Sequence, residues 1–459
     1  MKVLLAVLPP VAPDCPPLGA AVLAGALRGA GHECVIKDCN VELYAQCKTE
    51  KWRWSGAGWS SWGAVDSYAG WVSQVALHVC DAIAALSPDG VALSAASAGR
   101  AFASAVIDAV RARFPVLPIL IGGAGFFYEE EVAAFPLREG VSICRGEGDV
   151  AICEWVSDVL RNKGLPSKVY EHRLIMLDDA PSPDYAGFPA GLYARRGVVP
   201  QETSRGCVNR CAFCDDAQMW GHYRMKSAWR VAQDVSACSG SARHVTFSDS
   251  VLNPTPQRML QIVDALKTCD VTWDGMLQCK GIDKEIAAQL KASGCSDVFL
   301  GVESFNAEFL KVLGKTSVAG KARDAVECLS DVGVRVSMGL IVAGPPLQAR
   351  EQFQSDLEAI ARLGRRISCV AVNPLCIPQG SLLWARRAEL GIVYPEVAPW
   401  RLWHTGRGND DVQVRTEWCI EALKVLCSLG VSSSGGCEAD LRHMECVLQG
   451  LERSGEMGA

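Results

Sequence analysis

Three cysteines, Cys207, Cys211 and Cys214, form a CxxxCxxC array inside SRGCVNRCAFCDD, Ser204 to Asp216. Thiols this close in sequence can serve one metal centre, and soft thiolate ligands select an iron-sulfur cluster or zinc. Structural zinc needs a fourth protein ligand, usually from a second Cys or His pair. No such pair follows, although His222 is close enough to supply one ligand. On the residues alone both centres stay open.

The elements that must position this loop come next. From residue 197 the chain alternates strand-like runs, GVVPQET, RHVTFSD, VTWDGML, DVFLGVE, RVSMGLIVAG and SCVAVNP, with helical segments such as PQRMLQIVDALK and DKEIAAQLKASG. Six strand-helix units predict an open parallel barrel, whose chemistry sits at the carboxyl ends of the strands. Asp249, Lys280, Glu303 with Ser304, and Gly344 fall at or just past such ends. A carboxylate at Glu303 also fits a plainer role, capping the following helix.

The first third is built differently. Val3 to Leu8, HECVIKDCN, GVALSAA and LPILIG are short apolar runs without alternation, separated by AAVLAGALRGAG and AFASAVIDAVRARF. Such strands are buried on both faces, which predicts a doubly wound parallel sheet with a ligand site at its carboxyl ends. The loops there carry Pro17, Gly19, Ser94, Gly122-Gly123 and Gly146-Glu147-Gly148-Asp149. Paired glycines admit a ligand close to the backbone or simply make a tight turn. Trp52, Trp54, Trp59, Trp62 and Trp71 lie among Gly and Ser between the second strand and residue 80. They read as a loop packed over the domain edge, or as the wall of a binding site.

At 459 residues the chain is long enough for at least two cores. With 49% hydrophobic and 21% charged residues and a net charge of -6, it has the composition of a globular protein without a polybasic surface for nucleic acid or anionic lipid. Its 21 cysteines are scattered through apolar segments, which suits a reducing cytoplasm better than a disulfide framework. The opening MKVLLAVLPP is too short for a signal or spanning segment and reads as a buried first strand. The Pro-rich DDAPSPDYAGF, Asp178 to Phe188, reads as a crossing between domains.

Together, these residues resemble a known family. PPLGAAVLAGALRGAGHECVIKD, the strand ending LSAAS, LIGGAGF and CRGEGD resemble the cobalamin-binding domain that precedes many radical S-adenosylmethionine (SAM) enzymes. The cysteine array with Phe213 in CAFC, followed by GHYRMKS, resembles the loop of those enzymes. The expected layout is a Rossmann-like α/β domain at 1–170, a linker at 171–196, a partial (β/α)6 radical SAM barrel at 197–392 and a small helical region at 393–459. The resemblance implies that Cys207, Cys211 and Cys214 hold a 4Fe-4S cluster, with SAM on the remaining iron. It implies SAM contacts from Phe213, Asp249, Glu303, Ser304, Gly339, Ile341 and Gly344, and cobalamin contacts from Pro17, Gly19, Ser94, Gly122, Gly123 and Glu147. The DxHxxG histidine of better known cobalamin domains is missing, so the lower face of a bound cobalamin should lack a histidine. Lys280 stands where many relatives have arginine.

The implied activity is methyl transfer to an unreactive carbon of a small molecule or peptide, with a flavodoxin or ferredoxin as reductant. A cyclisation, rearrangement or ring contraction, and an iron-sulfur electron-transfer protein, are the alternatives. Trp400, Trp403, His404 and Arg415 in the last region could face substrate but read first as packing and surface pairing. Cys419, Cys427, Cys437 and Cys446 lack metal spacing and read as free thiols.

Overall fold

The computed structural model describes residues 1–54, 62, 69–162, 165–171, 174–238, 242–315, 318, 320–394, 403–405 and 409–456. Trp59 and Trp400 lie outside the described residues. The chain forms two compact units, Met1–Gln201 with 240–242, and Glu202–Ala459 without them.

In the first unit β1 (Lys2–Val7), α1 (Leu18–Gly29), β2 (Glu33–Asp38), α2 (Cys39–Gln46), α3 (Ala69–Leu86), β3 (Gly90–Ser94), α4 (Arg100–Arg113), β4 (Ile119–Gly122), α5 (Glu129–Ala134), β5 (Val141–Arg145), α6 (Gly148–Asn162) and β6 (Val169–Glu171) follow one another. The strands run in the order β2-β1-β3-β4-β5-β6, all parallel. Alternate residues serve opposite faces. Leu4, Ala6, Leu93 and Ile121 join one core with Val79 and Phe102, while Val3, Leu5, Val7 and Leu120 join another with Leu27 and Trp155. Two covered faces explain why these strands are continuously apolar. The order reverses direction between β1 and β3, the place where such sheets take ligands.

Trp54 and Trp62 are buried at 3% and 0% exposure, with ring centres 5.1 Å apart, and Trp62 meets Phe102 edge-on at 5.7 Å. Their indole N–H groups donate to Asn40 Oδ1 and Arg53 O. The tryptophans therefore extend the core. Helix α3 is long and apolar enough to cross a membrane by length and composition, and its Val75, Val79 and Ile83 are buried in the same core.

The Pro-rich segment expected to cross between domains is docked on the first unit. Asp184 N donates to Ala21 O at 2.9 Å, Asp184 pairs with Arg28 at 2.7 Å, and Tyr193 OH donates to Asp38 at 2.6 Å. Gly25 makes room for it, because a Cβ there would stand 2.0 Å from Ser182 O.

After β7 (Val198–Gln201), the second unit contains β8 (Ser204–Arg205), α7 (Asp216–Met219), β9 (Arg224–Met225), α8 (Ala228–Cys238), β10 (His244–Phe247), α9 (Pro256–Leu266), β11 (Thr272–Leu277), α10 (Lys284–Ala292), β12 (Cys295–Glu303), α11 (Ala307–Val312), α12 (Ala322–Asp331), β13 (Arg335–Val342), α13 (Arg350–Leu363), β14 (Cys369–Pro374), α14 (Leu382–Ala385), α15 (Asn409–Leu429), β15 (Ser432–Ser433) and α16 (Cys437–Glu456). Its main sheet runs β15-β14-β13-β12-β11-β10 and is parallel. Local signals set the helix starts: Thr255 caps α9 ahead of Pro256, and Asp283 caps α10. The C-terminal region is not purely helical, since β15 adds a short strand beside β14.

Replacing Gly25 with Ala should destabilise the first unit by about 1–3 kcal/mol through the clash with Ser182 O. Urea unfolding should show this, together with faster proteolysis near residue 182.

Candidate active site

The two ends of the cysteine loop are tied together before any metal is considered. β8 pairs antiparallel with β9, Ser204 opposite Met225 and Arg205 opposite Arg224. Lys226, fully buried, sets Nζ 2.9 Å from Asp234 and 3.8 Å from Glu202. Glu202 also pairs with Arg205 at 2.8 Å, and Asp234 with Arg230 at 3.0 Å. Burying a charge is costly unless it is paired and hydrogen-bonded, and here the pairing spans the start and the exit of the loop.

Asp249, just past β10, acts on the same point. Its carboxylate accepts from Thr203 N at 2.9 Å, Thr203 Oγ1 at 2.7 Å and Ser204 Oγ at 2.5 Å. Burial raises its pKa to about 6, against the pull of those hydrogen bonds. The resemblance implies a SAM contact for Asp249; in the structure its carboxylate accepts hydrogen bonds from the residues that lead into the loop. In the middle of the loop Ala212 donates to Leu313 O and accepts from Leu383 N, both at 2.8 Å. Asn209 Nδ2 reaches Gln278 Oε1 at 3.3 Å, and Gln278 is clamped by Asn253 in three hydrogen bonds.

The cysteines themselves are half-buried free thiols. Burial pushes all three upward in pKa, with Lys315 opposing at Cys207 and Cys211. A metal centre must therefore displace their protons. Thiolates bound at about 2.3 Å to one tetrahedral zinc would stand about 3.8 Å apart. Among the described residues the three sulfurs are not gathered within 4.8 Å of one another, and His222 joins no such group; the gathered donors are Cys214, Asp215 and Asp216. The donor set fits a larger, all-thiolate cluster better than a single ion.

Glu303 closes the other side. It ends β12 with φ +66°, where the register with β13 shifts, and Oε1 pairs with Lys315 Nζ at 2.9 Å. A Cβ on Gly339 would lie 2.6 Å from Glu303 Oε2, and one on Gly301 2.6 Å from Lys315 Nζ. Both glycines thus make room for the pair. Burial disfavours the Lys315 charge, but Glu303 and Cys211 outweigh it and hold the pKa above the ordinary value. Lys315 was not singled out in the sequence; the only local signal is its place in LGK, just after α11. Ser304, the neighbour of Glu303, turns away: its Oγ donates to buried Asp356, which also takes Phe305 N at 2.6 Å. That arrangement fixes the turn that leads from β12 into α11.

Ile341 and Phe213 belong to one apolar cluster with Ala212, Leu375 and Trp403. Gly344 turns the chain at φ +67°, and Lys280 is exposed. Trp403 is buried and donates to Leu375 O at 2.7 Å, while His404 bridges Val393.

In the first unit, Ser94 Oγ has no hydrogen-bond partner among the described residues, and a Cβ added to Gly19 would meet nothing within 4 Å. Gly122 and Gly123 are accounted for by the chain, since a Cβ would stand 3.0 Å from Cys144 Cβ and 2.7 Å from Ala95 O. Pro17 starts α1, and Glu147 is buried after β5.

Residues 202–379 match the Radical SAM superfamily. The chain carries a radical SAM domain. Relatives of the chain include an uncharacterized methyltransferase of Pyrococcus horikoshii, 25% identical over 48% of the chain and 53% of that protein. Another is the hopanoid C-3 methylase of Methylococcus capsulatus, 29% identical over 33% and 30%. The matches thus span about half or less of these relatives' lengths. Among solved structures, TsrM from Kitasatospora setae, a radical SAM methyltransferase, aligns with TM-score 0.67 at 16% identity over 93% of this chain and 89% of that one. The cobalamin-dependent radical SAM enzyme OxsB aligns with TM-score 0.65 at 16% identity, over 92% and 66%. The α/β fold is theirs.

Asp249→Ala should cost about 2–4 kcal/mol by stranding the donors of Thr203 and Ser204, and should lower iron bound per chain in metal analysis. Asp356, with its pKa raised by burial from 3.8 to about 6, binds its proton more tightly folded than unfolded. Its contribution is therefore full below about pH 4 and lost as pH rises through about 6. Urea melts of Asp356→Asn across that window should show a flatter pH dependence than wild type.

Proposed function

We propose that this chain is a cobalamin-dependent radical SAM enzyme that methylates an unactivated carbon of a small molecule or peptide. The observation that carries this is one conjunction: a clasped three-cysteine loop in a radical SAM domain, within a chain whose fold is that of OxsB and TsrM. The methyltransferase names of the curated relatives support the same reaction class. When bound, the cluster, SAM and cobalamin supply the radical and methyl-transfer chemistry, and the protein supplies binding, orientation and exclusion of water.

Cys207, Cys211 and Cys214 would hold the cluster. Glu303 and Lys315 present a carboxylate and an ammonium side by side, a match for the zwitterionic amino-acid end of SAM. Phe213, Gly339, Ile341 and Gly344 would bound its adenosine. Asp249 and Ser304 act from behind, fixing Thr203–Ser204 and the turn after Glu303. Gly19 and Ser94, with Pro17, Gly122, Gly123 and Glu147, would border cobalamin at the switch point of the first sheet. Each of the 21 cysteines is a free thiol, in keeping with a reducing cytoplasm. A small flavodoxin or ferredoxin would supply electrons.

Cluster-loaded protein, reduced anaerobically with SAM, should release deoxyadenosine, and Cys211→Ala should bring release to background. With cobalamin and methyl-deuterated SAM, the substrate should gain one labelled methyl group. No deoxyadenosine from wild type would overturn the radical reading, and products of unchanged carbon count would overturn methyl transfer.

A further inference from the structure

Helix α15 carries an arginine that, among the described residues, lacks the counter-charge buried arginines normally have. Arg415 is 1% exposed. Its Nη2 donates to Trp403 O at 2.8 Å, and its guanidinium lies over the Trp403 ring, 4.0 Å from the centre. Nη1 is buried with no hydrogen-bond partner among the described residues. Arg350 on α13 finds Glu421 of α15 at 2.7 Å, whereas Arg415 has no carboxylate at ion-pair distance among the described residues. The acid at helical spacing, Asp411, is taken elsewhere: its Oδ2 accepts from Thr405 N at 2.7 Å and from Thr405 Oγ1. Burial pushes the guanidinium down to about 10, against the pull of Cys419, Cys376 and Asp411, so it stays charged at neutral pH.

Its position gives the charge a use. Arg415 Cα and Cβ lie 3.7 Å from where a Cβ on Gly344 would stand, past the carboxyl end of β13. The tryptophan beneath it is anchored to Leu375, the residue after β14. That tryptophan shares an apolar cluster with Ala212 of the cysteine loop and with Ile341. The carboxyl ends of parallel strands are where substrates of such barrels bind.

We propose that Arg415 is the anchor for a carboxylate group of the substrate. One carboxylate neutralises one buried guanidinium, and a single acceptor oxygen satisfies Nη1. A phosphate would leave a second charge uncompensated in the same apolar surroundings. The side chains that cover Nη1 must part to admit the ligand, and the ion pair then forms in a medium of low dielectric. Naming the ligand as substrate rests on the radical SAM reading; the anion site itself does not.

The test uses cluster-loaded protein with acetate as the probe and acetamide as its neutral isostere, at fixed ionic strength. Saturating acetate should raise the wild-type melting temperature by about 2 °C and acetamide should not. Arg415→Met, which removes the charge at similar length, should melt at or above wild type and lose the acetate shift. Arg415→Lys should keep part of it. An equal shift in wild type and Arg415→Met, or none in wild type, overturns the site. A marked fall in the melting temperature of Arg415→Met overturns it too, by making the arginine structural. SAM affinity separates the two sources of a carboxylate: unchanged affinity in Arg415→Met assigns it to substrate, and a severalfold loss assigns it to SAM and overturns the proposal. Failure of the deoxyadenosine assay would remove the radical reading while leaving the acetate result intact.

Discussion

The cysteine loop of the second unit depends on closure by buried charge. Glu202 and Arg205 precede the loop, Lys226 follows it, and Asp234 on α8 binds the last of these. Because Lys226 is fully buried, breaking any one pairing would leave an uncompensated charge in the interior, which proteins tolerate poorly. Asp249 accepts three hydrogen bonds from Thr203 and Ser204, which lie between Glu202 and Arg205 at the head of the loop. Three thiols half-buried on a short irregular segment are thereby held in place by groups other than the cysteines themselves.

The first unit solves a different problem. Its sheet is covered on both faces, so its side chains are used for packing and little is left for a ligand except the loops at one end. Gly122 and Gly123 are needed where the ends of β3, β4 and β5 approach one another. A Cβ on Gly19 would meet nothing within 4 Å, and the Ser94 hydroxyl has no hydrogen-bond partner among the described residues. These two small residues, at opposite sides of the switch between β1 and β3, are the ones whose identity points outward.

What was legible in the sequence follows from range of interaction. Apolar runs and the cysteine spacing are local patterns, and the strands, their parallel pairing and the loop can be read from them. Asp249 and Ser304 stand at strand ends, so position marks them, but their partners, Thr203 and Asp356, lie 46 and 52 residues away. No local pattern says that their oxygens face inward. Lys315 was invisible for the same reason, since its meaning comes from Glu303 across a helix. The tryptophans carried an ambiguity that only packing removes: the rings of Trp54 and Trp62 contact each other and bury their N–H groups on Asn40 and Arg53.

The Glu303–Lys315 pair also bears on how this sequence can drift. The carboxylate tip occupies space that a Cβ at Gly339 on the neighbouring strand would take, and the ammonium tip space that one at Gly301 would take. A lineage that keeps the acid and the base cannot acquire even an alanine at either glycine without displacing them. Residues 301, 303, 315 and 339 are therefore expected to vary as one unit across homologues, a four-position covariation that distance along the chain would never suggest.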